Sequence, residues 1–221
     1  MQKEMIGVFA DEKRETLLAA FHFLRNQQKQ ADGVPNLCLA DFIAPRDTGK
    51  IDYMGFFAVT SGIGLERETN FYENKNDDYN SIMFKILANR LAEAFAELLH
   101  LNVRKRLWGY AKDENLDLYS ILKEKYVGIR PAPGYPPCPD HSEKKILFDL
   151  LQVEKRASII LTENFAMSPL ASVCGFYFAH PGSKYFNVGK VSKDQVIDYA
   201  KRKKITVAFA EKWLAPNLNY R

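Results

Sequence analysis

Apolar positions recur along this chain with two different periods. Within residues 11–30, Leu17, Leu18, Phe21 and Leu24 fall on one stripe, which predicts a helix that Asp32-Gly33-Val34-Pro35 stops. Two short runs rich in β-formers, residues 37–43 and 55–60, predict strands joined by the turn-rich loop of residues 44–50. The longest helical pattern covers residues 78–108. Met83, Leu87, Leu91, Ala94, Phe95 and Leu98 recur there at three- and four-residue steps, predicting a broad core-facing stripe. On the same helix Glu93 and Glu97 stand one turn apart, as expected of solvated surface carboxylates.

Shorter helices are predicted over residues 115–124 and 142–153, and strands over residues 158–161 and 171–179. The turn His180-Pro181-Gly182-Ser183 then delivers Lys184-Tyr185-Phe186 onto an extended segment. Two helices close the chain. Ser192 to Gln195 has capping-box spacing for the first, and Thr206 opens the second before Trp213-Leu214-Ala215-Pro216 ends it. No repeat or Rossmann glycine fingerprint is present. Strands joined partly by hairpin-like turns predict an α+β fold, a largely antiparallel twisted sheet flanked by helices.

One stretch fits neither period. Residues 130–141, Arg-Pro-Ala-Pro-Gly-Tyr-Pro-Pro-Cys-Pro-Asp-His, carry five prolines in twelve positions, so they can be neither helix nor central strand. Gly134 interrupts the rigidity, allowing positive φ or a close approach of backbone to a ligand. Arg130 offers a planar fork for a carboxylate or phosphate, and Tyr135 a flat face. Two readings fit, a displayed binding loop and a connector between a strand and a helix.

Composition narrows the function classes. The 221 residues are 47% hydrophobic and 26% charged, ordinary for a globular chain of one large or two small domains. No apolar run approaches the ~20 residues of a membrane span, and Met1-Gln2-Lys3-Glu4-Met5 leads into no signal-peptide core, so a cytoplasmic location is expected. Three scattered cysteines, Cys38, Cys138 and Cys174, fit a reducing compartment. The net charge of +4 rests partly on Arg104-Lys105-Arg106 and Lys201-Arg202-Lys203-Lys204, read as helix-end cations facing solvated carbonyls. Without interleaved aromatics they do not point to nucleic acid. Cys138 and His141 invite a zinc or a thiol-nucleophile reading, but the pair lacks a second short-spaced ligand pair, and local loop packing is the simpler role.

The order of motifs carries a resemblance. The run at residues 130–141 resembles the signature of the S-adenosylmethionine-binding reactivation domain of cobalamin-dependent methionine synthase. So do Leu39-Ala40-Asp41-Phe42-Ile43-Ala44-Pro45, Asp77-Asp78-Tyr79-Asn80, Arg90-Leu91-Ala92-Glu93-Ala94-Phe95-Ala96-Glu97, Trp108-Gly109-Tyr110-Ala111, Leu161-Thr162-Glu163-Asn164-Phe165-Ala166-Met167 and Trp213-Leu214-Ala215-Pro216-Asn217-Leu218. The similarity runs over about residues 37–220.

The resemblance implies a methionine synthase activation domain-like fold that positions a methyl donor for reductive methylation of cob(II)alamin to methylcobalamin. A methyl sulfonium is already electrophilic, so the chain needs no catalytic residue and no metal of its own, only binding and orientation. By the resemblance, Arg130 and the main chain at Ala132 hold S-adenosylmethionine, the backbone at Gly134 approaches it, and Tyr185 with Phe186 lies against its adenosyl part. Tyr135, Glu93 and Glu124 are placed near the ligand or the docked cobalamin. Cobalamin is expected on a separate module of the same enzyme, with an electron from a flavodoxin-like reductase. Residues 1–221 are read as a single reactivation-type domain without the family's amino-terminal helical arm, an absence that would leave an apolar face exposed. The alternative is a non-catalytic module that docks on a corrinoid protein without using S-adenosylmethionine.

Overall fold

The computed structural model describes residues 4–220, so most of Met1–Met5, read above as lacking a signal-peptide core, lies outside the described residues. Two compact units divide the chain, and each is assembled from separated stretches. The first comprises Met1–Gly55, Val127–Ile146 and Phe176–Arg221, and the second Phe56–Tyr126 and Leu147–Gly175.

In the first unit, β1 (Met5–Phe9) and β2 (Leu17–His22) form an antiparallel hairpin that pairs Ile6 with Phe21, with a bulge at Val8/Phe9. This overturns the helix expected over residues 11–30. The run Leu-Leu-Ala-Ala-Phe-His-Phe-Leu satisfies both periods, and the choice between them is tertiary. Phe21 and Phe23, two residues apart, are wholly buried, whereas Leu17 and Leu18 are exposed. Arg14, at φ 58°, turns the chain between the strands.

The strand expected over residues 37–43 is instead a single 3₁₀ turn, Leu39–Phe42. The Asp41 carboxylate accepts from the Cys38 amide at 2.9 Å and from both terminal nitrogens of Arg25 at 2.6 and 2.7 Å, fixing a tight turn that buries Leu39 and Phe42. The core of this unit stacks Phe21, Phe23, Phe176 and Phe178 edge to face. Leu24, Val188, Val191 and Val196 pack with α6 (Lys193–Lys203) and α7 (Val207–Leu214). Thr206 caps α7 as expected, accepting from the Phe209 amide. Ser192 does not cap α6: its hydroxyl pairs with Gln27 and Asp194, and Gln195 donates to the Arg25 carbonyl.

In the second unit, Ser61 at the end of β3 (Gly55–Thr60) donates to Ala171 at the start of β6 (Ser172–Tyr177), the antiparallel sense. Helix α1 (Leu65–Glu73) packs on α2 (Asp78–Asn102), which Asp77 caps and a π turn, Val103–Leu107, ends. Two short helices, α3 (Leu118–Leu122) and α5 (Val153–Ala157), and the ladder β4 (Ile160–Leu161) with β5 (Met167–Ser168) complete it, along with most of α4 (Glu143–Leu151).

Helix α2 lies where the pattern predicts, but its inward face is not the predicted stripe. The buried positions are Ser81, Ala88, Ala92, Ala96 and His100, a narrow small-residue seam at mostly four-residue steps. Met83, Leu87, Leu91, Phe95 and Leu98 are 43–56% exposed. Small side chains let another element approach closely, and that selects the seam over the larger stripe. Two of the basic clusters are also partly internal. Arg104 is fully buried, paired with Glu114 at 2.9 Å over the ring of Tyr126, and Arg202 is buried beside Asp198 at 2.7 Å.

The class is α+β, with the described strands arranged as three two-stranded ladders. Among the described residues no helix is long and apolar enough to cross a membrane.

Candidate functional site

The proline loop pairs with residues 176–178, which belong to the same unit. Ile129 and Phe178 exchange both backbone hydrogen bonds at 3.0 Å, and the Phe176 amide donates to the Pro131 carbonyl at 2.9 Å. Pro131 has no N–H to return, so the ladder stops there. Alternation along the extended segment turns the Arg130 amide to the opposite side, where the Tyr185 hydroxyl accepts it at 3.0 Å. Arg130 and Tyr185, assigned to one site by the resemblance, are thereby in direct contact.

Beyond Pro131 the chain closes on itself. Gly134 donates to the Cys138 carbonyl at 2.7 Å, Cys138 donates to the Tyr135 carbonyl at 2.9 Å, and the Pro136 carbonyl accepts from Val188 at 3.0 Å. Each proline lacks a donor and the other amides are mostly consumed. The Ala132 N–H has no hydrogen-bond partner among the described residues. It is a half-buried main-chain donor in a pre-set loop, the kind of group a ligand acceptor satisfies.

Gly134 adopts φ +95°, which a side chain would strain. Its open face is filled by protein. A Cβ there would stand 2.6 Å from Nδ1 and 2.7 Å from Nε2 of His141. The glycine is therefore required by its positive φ, one of the two readings made from the sequence, and by the fit of an imidazole. His141 Nδ1 in turn lies 2.9 Å from Lys144 Nζ. Lysine can only donate, so Nδ1 is the acceptor and Nε2 carries the proton.

The loop is founded on a buried charge cluster that the sequence did not reveal. Lys203, on α6, sits 2.7 Å from both Asp140 and Glu143 and 2.6 Å from the Ser142 hydroxyl. Tyr199 donates to Asp140 at 2.7 Å, and Glu143 accepts from the His22 amide at 3.1 Å. Asp140, Glu143 and Tyr199 are each at most 1% exposed. Burial pushes both carboxyls up. For Asp140, the Lys203 ammonium and hydrogen bonds from Lys203, Ser142 and Tyr199 reverse this and hold it below its ordinary value, whereas Glu143 remains raised. Burial and the neighbouring Lys203 and Arg202 lower His22 to about 4. The spacing of Tyr199 and Lys203, one helical turn apart, was the available signal, but nothing local paired it with Asp140.

The remaining expected residues divide. Tyr135 is 56% exposed at the loop tip. Phe186 is half-buried, packing on the core cluster with its ring 6.5 Å from Phe42. Glu93 is exposed on α2, and Glu124, also exposed, follows α3 at φ 53°. Both belong to the second unit. Cys138 is 2% exposed, and burial together with Glu143 and Asp140 drives its thiol well above its ordinary value, which leaves no thiolate for nucleophilic work.

Comparison with known proteins gives the family. The sequence profile described as vitamin B12 dependent methionine synthase, activation domain, matches residues 1–204. A solved structure of the MetH reactivation domain bound to AdoHcy is 52% identical, with a TM-score of 0.95 over 98% of this chain and 66% of that one. The chain thus spans just under two thirds of that solved chain's length. With the family profile matched over most of its length, the chain belongs to the vitamin B12 dependent methionine synthase activation domain family.

Proposed function

We propose that this chain binds S-adenosylmethionine on the proline loop and presents its methyl group, as the reactivation domain of a cobalamin-dependent methionine synthase. The observation that carries the reading is the unpartnered Ala132 N–H beside Arg130, in a chain 52% identical to a domain solved with AdoHcy. The Arg130 guanidinium takes the methionyl carboxylate through a two-point, charge-assisted contact, and the Ala132 amide donates to the same amino-acid portion. Tyr185, bonded to the Arg130 amide, sets the direction of that segment and offers its ring to the nucleoside. A pre-ordered loop binds without the entropy cost of freezing a mobile one.

The chemistry needs nothing more from these side chains. Cobalamin, held by a separate module of the enzyme, supplies the nucleophilic metal, and a flavodoxin-like reductase supplies the electron that makes the methylation reductive. The chain's part is to orient the methyl donor and exclude water, within a cytoplasmic methyltransferase.

Titration calorimetry with S-adenosylhomocysteine tests this on the wild type and on Arg130→Ala. A loss of at least tenfold in the variant is expected, because a charge-assisted bidentate contact contributes about 1.5–3 kcal/mol. Equal, weak binding by both proteins sinks the proposal and favours a docking module that uses no nucleoside.

A further inference from the structure

The signature ends in a residue to which the reading above gives no role. His141 is half-buried at the mouth of α4, its ring flush against Gly134 and its Nδ1 2.9 Å from Lys144 Nζ. We propose that His141 is a positioning residue of the methyl-donor site, a neutral imidazole wedge, locked by Lys144, that holds the backbone between Ala132 and Tyr135 in its binding shape. The inference rests on the proposed function of that loop.

The geometry leaves the ring little freedom. The Gly134 and Tyr135 amides are spent on the turn, on the Cys138 and Ala132 carbonyls, and Pro133 has none, so the peptide orientation at Ala132 depends on where Gly134 sits, and Gly134 rests on the imidazole. Asp140, the preceding residue, is pinned by Lys203, Tyr199 and the Ser142 amide, which anchors the His141 backbone. Lys144 is itself 7% exposed, so its ammonium cannot swing freely into water. Two charged groups face the ring, the Lys144 ammonium from α4 and the Asp140 carboxylate from the loop.

Protonation of the ring breaks this arrangement. Nδ1 would then carry a hydrogen aimed at an ammonium 2.9 Å away, with no lone pair to receive the lysine donor. The ring has to rotate, and the surface under Gly134 goes with it. Burial and then Lys144 lower the ring's affinity for a proton, with Asp140 opposing them, so it stays neutral at pH 7 and charges only in the acid range. His141 would act through the loop without touching the ligand.

Calorimetry with S-adenosylhomocysteine between pH 8 and pH 5.5 tests the wild type, His141→Gln and His141→Ala, with circular dichroism verifying each fold. The wild type is expected to lose affinity on acidification, by less than tenfold at pH 5.5 because the ring takes its proton below the ordinary range. His141→Gln, which keeps an acceptor for Lys144 without a titrating ring, should bind within about threefold of the wild type at pH 8 and stay flat with pH. His141→Ala should be at least tenfold weaker at pH 8. A second measurement needs no variant. If the charged ring opposes binding, linkage requires saturating ligand to depress the His141 titration seen by NMR, by the ratio of the affinities of the neutral and charged forms. An affinity that is flat with pH in the wild type, a His141→Gln variant with the wild-type pH profile, or a titration unmoved by ligand overturns the inference. Failure of the wild type to bind at any pH instead overturns the proposed function on which it rests.

Discussion

Replacing Lys203 by Met should destabilise the first unit by about 3–4 kcal/mol at pH 7. Its ammonium lies 2.7 Å from both Asp140 and Glu143, two carboxylates at 1% and 0% exposure. Methionine fills most of the volume, so the loss measures charge rather than a cavity. Without the cation two buried carboxylates cannot both remain ionised, and the cheaper course is to protonate Glu143, which burial already raises. Protonating a carboxyl of ordinary pKa ~4.3 at pH 7 costs about 3.7 kcal/mol, at ~1.4 kcal/mol per pH unit. That figure falls within the ~3–5 kcal/mol typical of breaking a buried pair by removing one partner.

Urea unfolding at pH 7 and pH 5 measures it. A carboxyl whose folded pKa lies above its unfolded value is stabilised by acid, so the deficit relative to the wild type should shrink by about 2 kcal/mol over that interval. Adding Glu143→Gln should recover part of the loss at pH 7 and abolish much of its pH dependence. A deficit below ~1 kcal/mol, or one equal at the two pH values, would refute the claim that this cluster is an electrostatic anchor for the loop.

Two further outcomes are expected. Tyr185→Phe removes the acceptor of the Arg130 amide and should cost ~1–2 kcal/mol in urea while weakening S-adenosylhomocysteine binding; a variant of wild-type stability would mean that water replaces the hydroxyl. His22, 8% exposed, binds a proton in the unfolded chain below its ordinary 6.5 but in the folded chain only below about 4. The stability it contributes is therefore present above pH 6.5 and lost as pH falls towards 4, by at most ~3 kcal/mol. Unfolding midpoints for the wild type and His22→Gln at pH 7, 6 and 5 check the sign, since the variant should decline less steeply with acid.

The candidate site was partly legible for a local reason. Proline restricts its own φ and the preceding residue without help from the rest of the chain, so rigidity at residues 130–141 could be read directly, and Arg130 with it. Tyr185 entered through resemblance to the family, and its bond to the Arg130 amide spans 55 residues that no local pattern connects. Gly134 was recognised as a special backbone position, but the imidazole that occupies its open face became visible only once the loop had closed. Phe186, grouped with the ligand by the same resemblance, packs on Phe42 and the core, a contact that no local pattern showed.

By itself the sequence determined the α+β class, the position of α2, β3 and β6, the Thr206 cap and the stiffness of the loop, because each depends on interactions among residues close in the chain. Tertiary structure decided the rest. Residues 17–22 became a strand because β1 supplied a pairing edge, and 39–42 became a turn because Arg25 captured Asp41. The inward face of α2 went to its alanines, because an apolar side chain is buried only where another element can reach it, and closeness of approach is a property of both surfaces. Lys203, apparently one cation of a solvated helix end, joined Asp140 and Glu143 in the interior for the same kind of reason. A charge is held inside only when its partners arrive from elsewhere in the fold, and one strand of sequence does not show which partners will come.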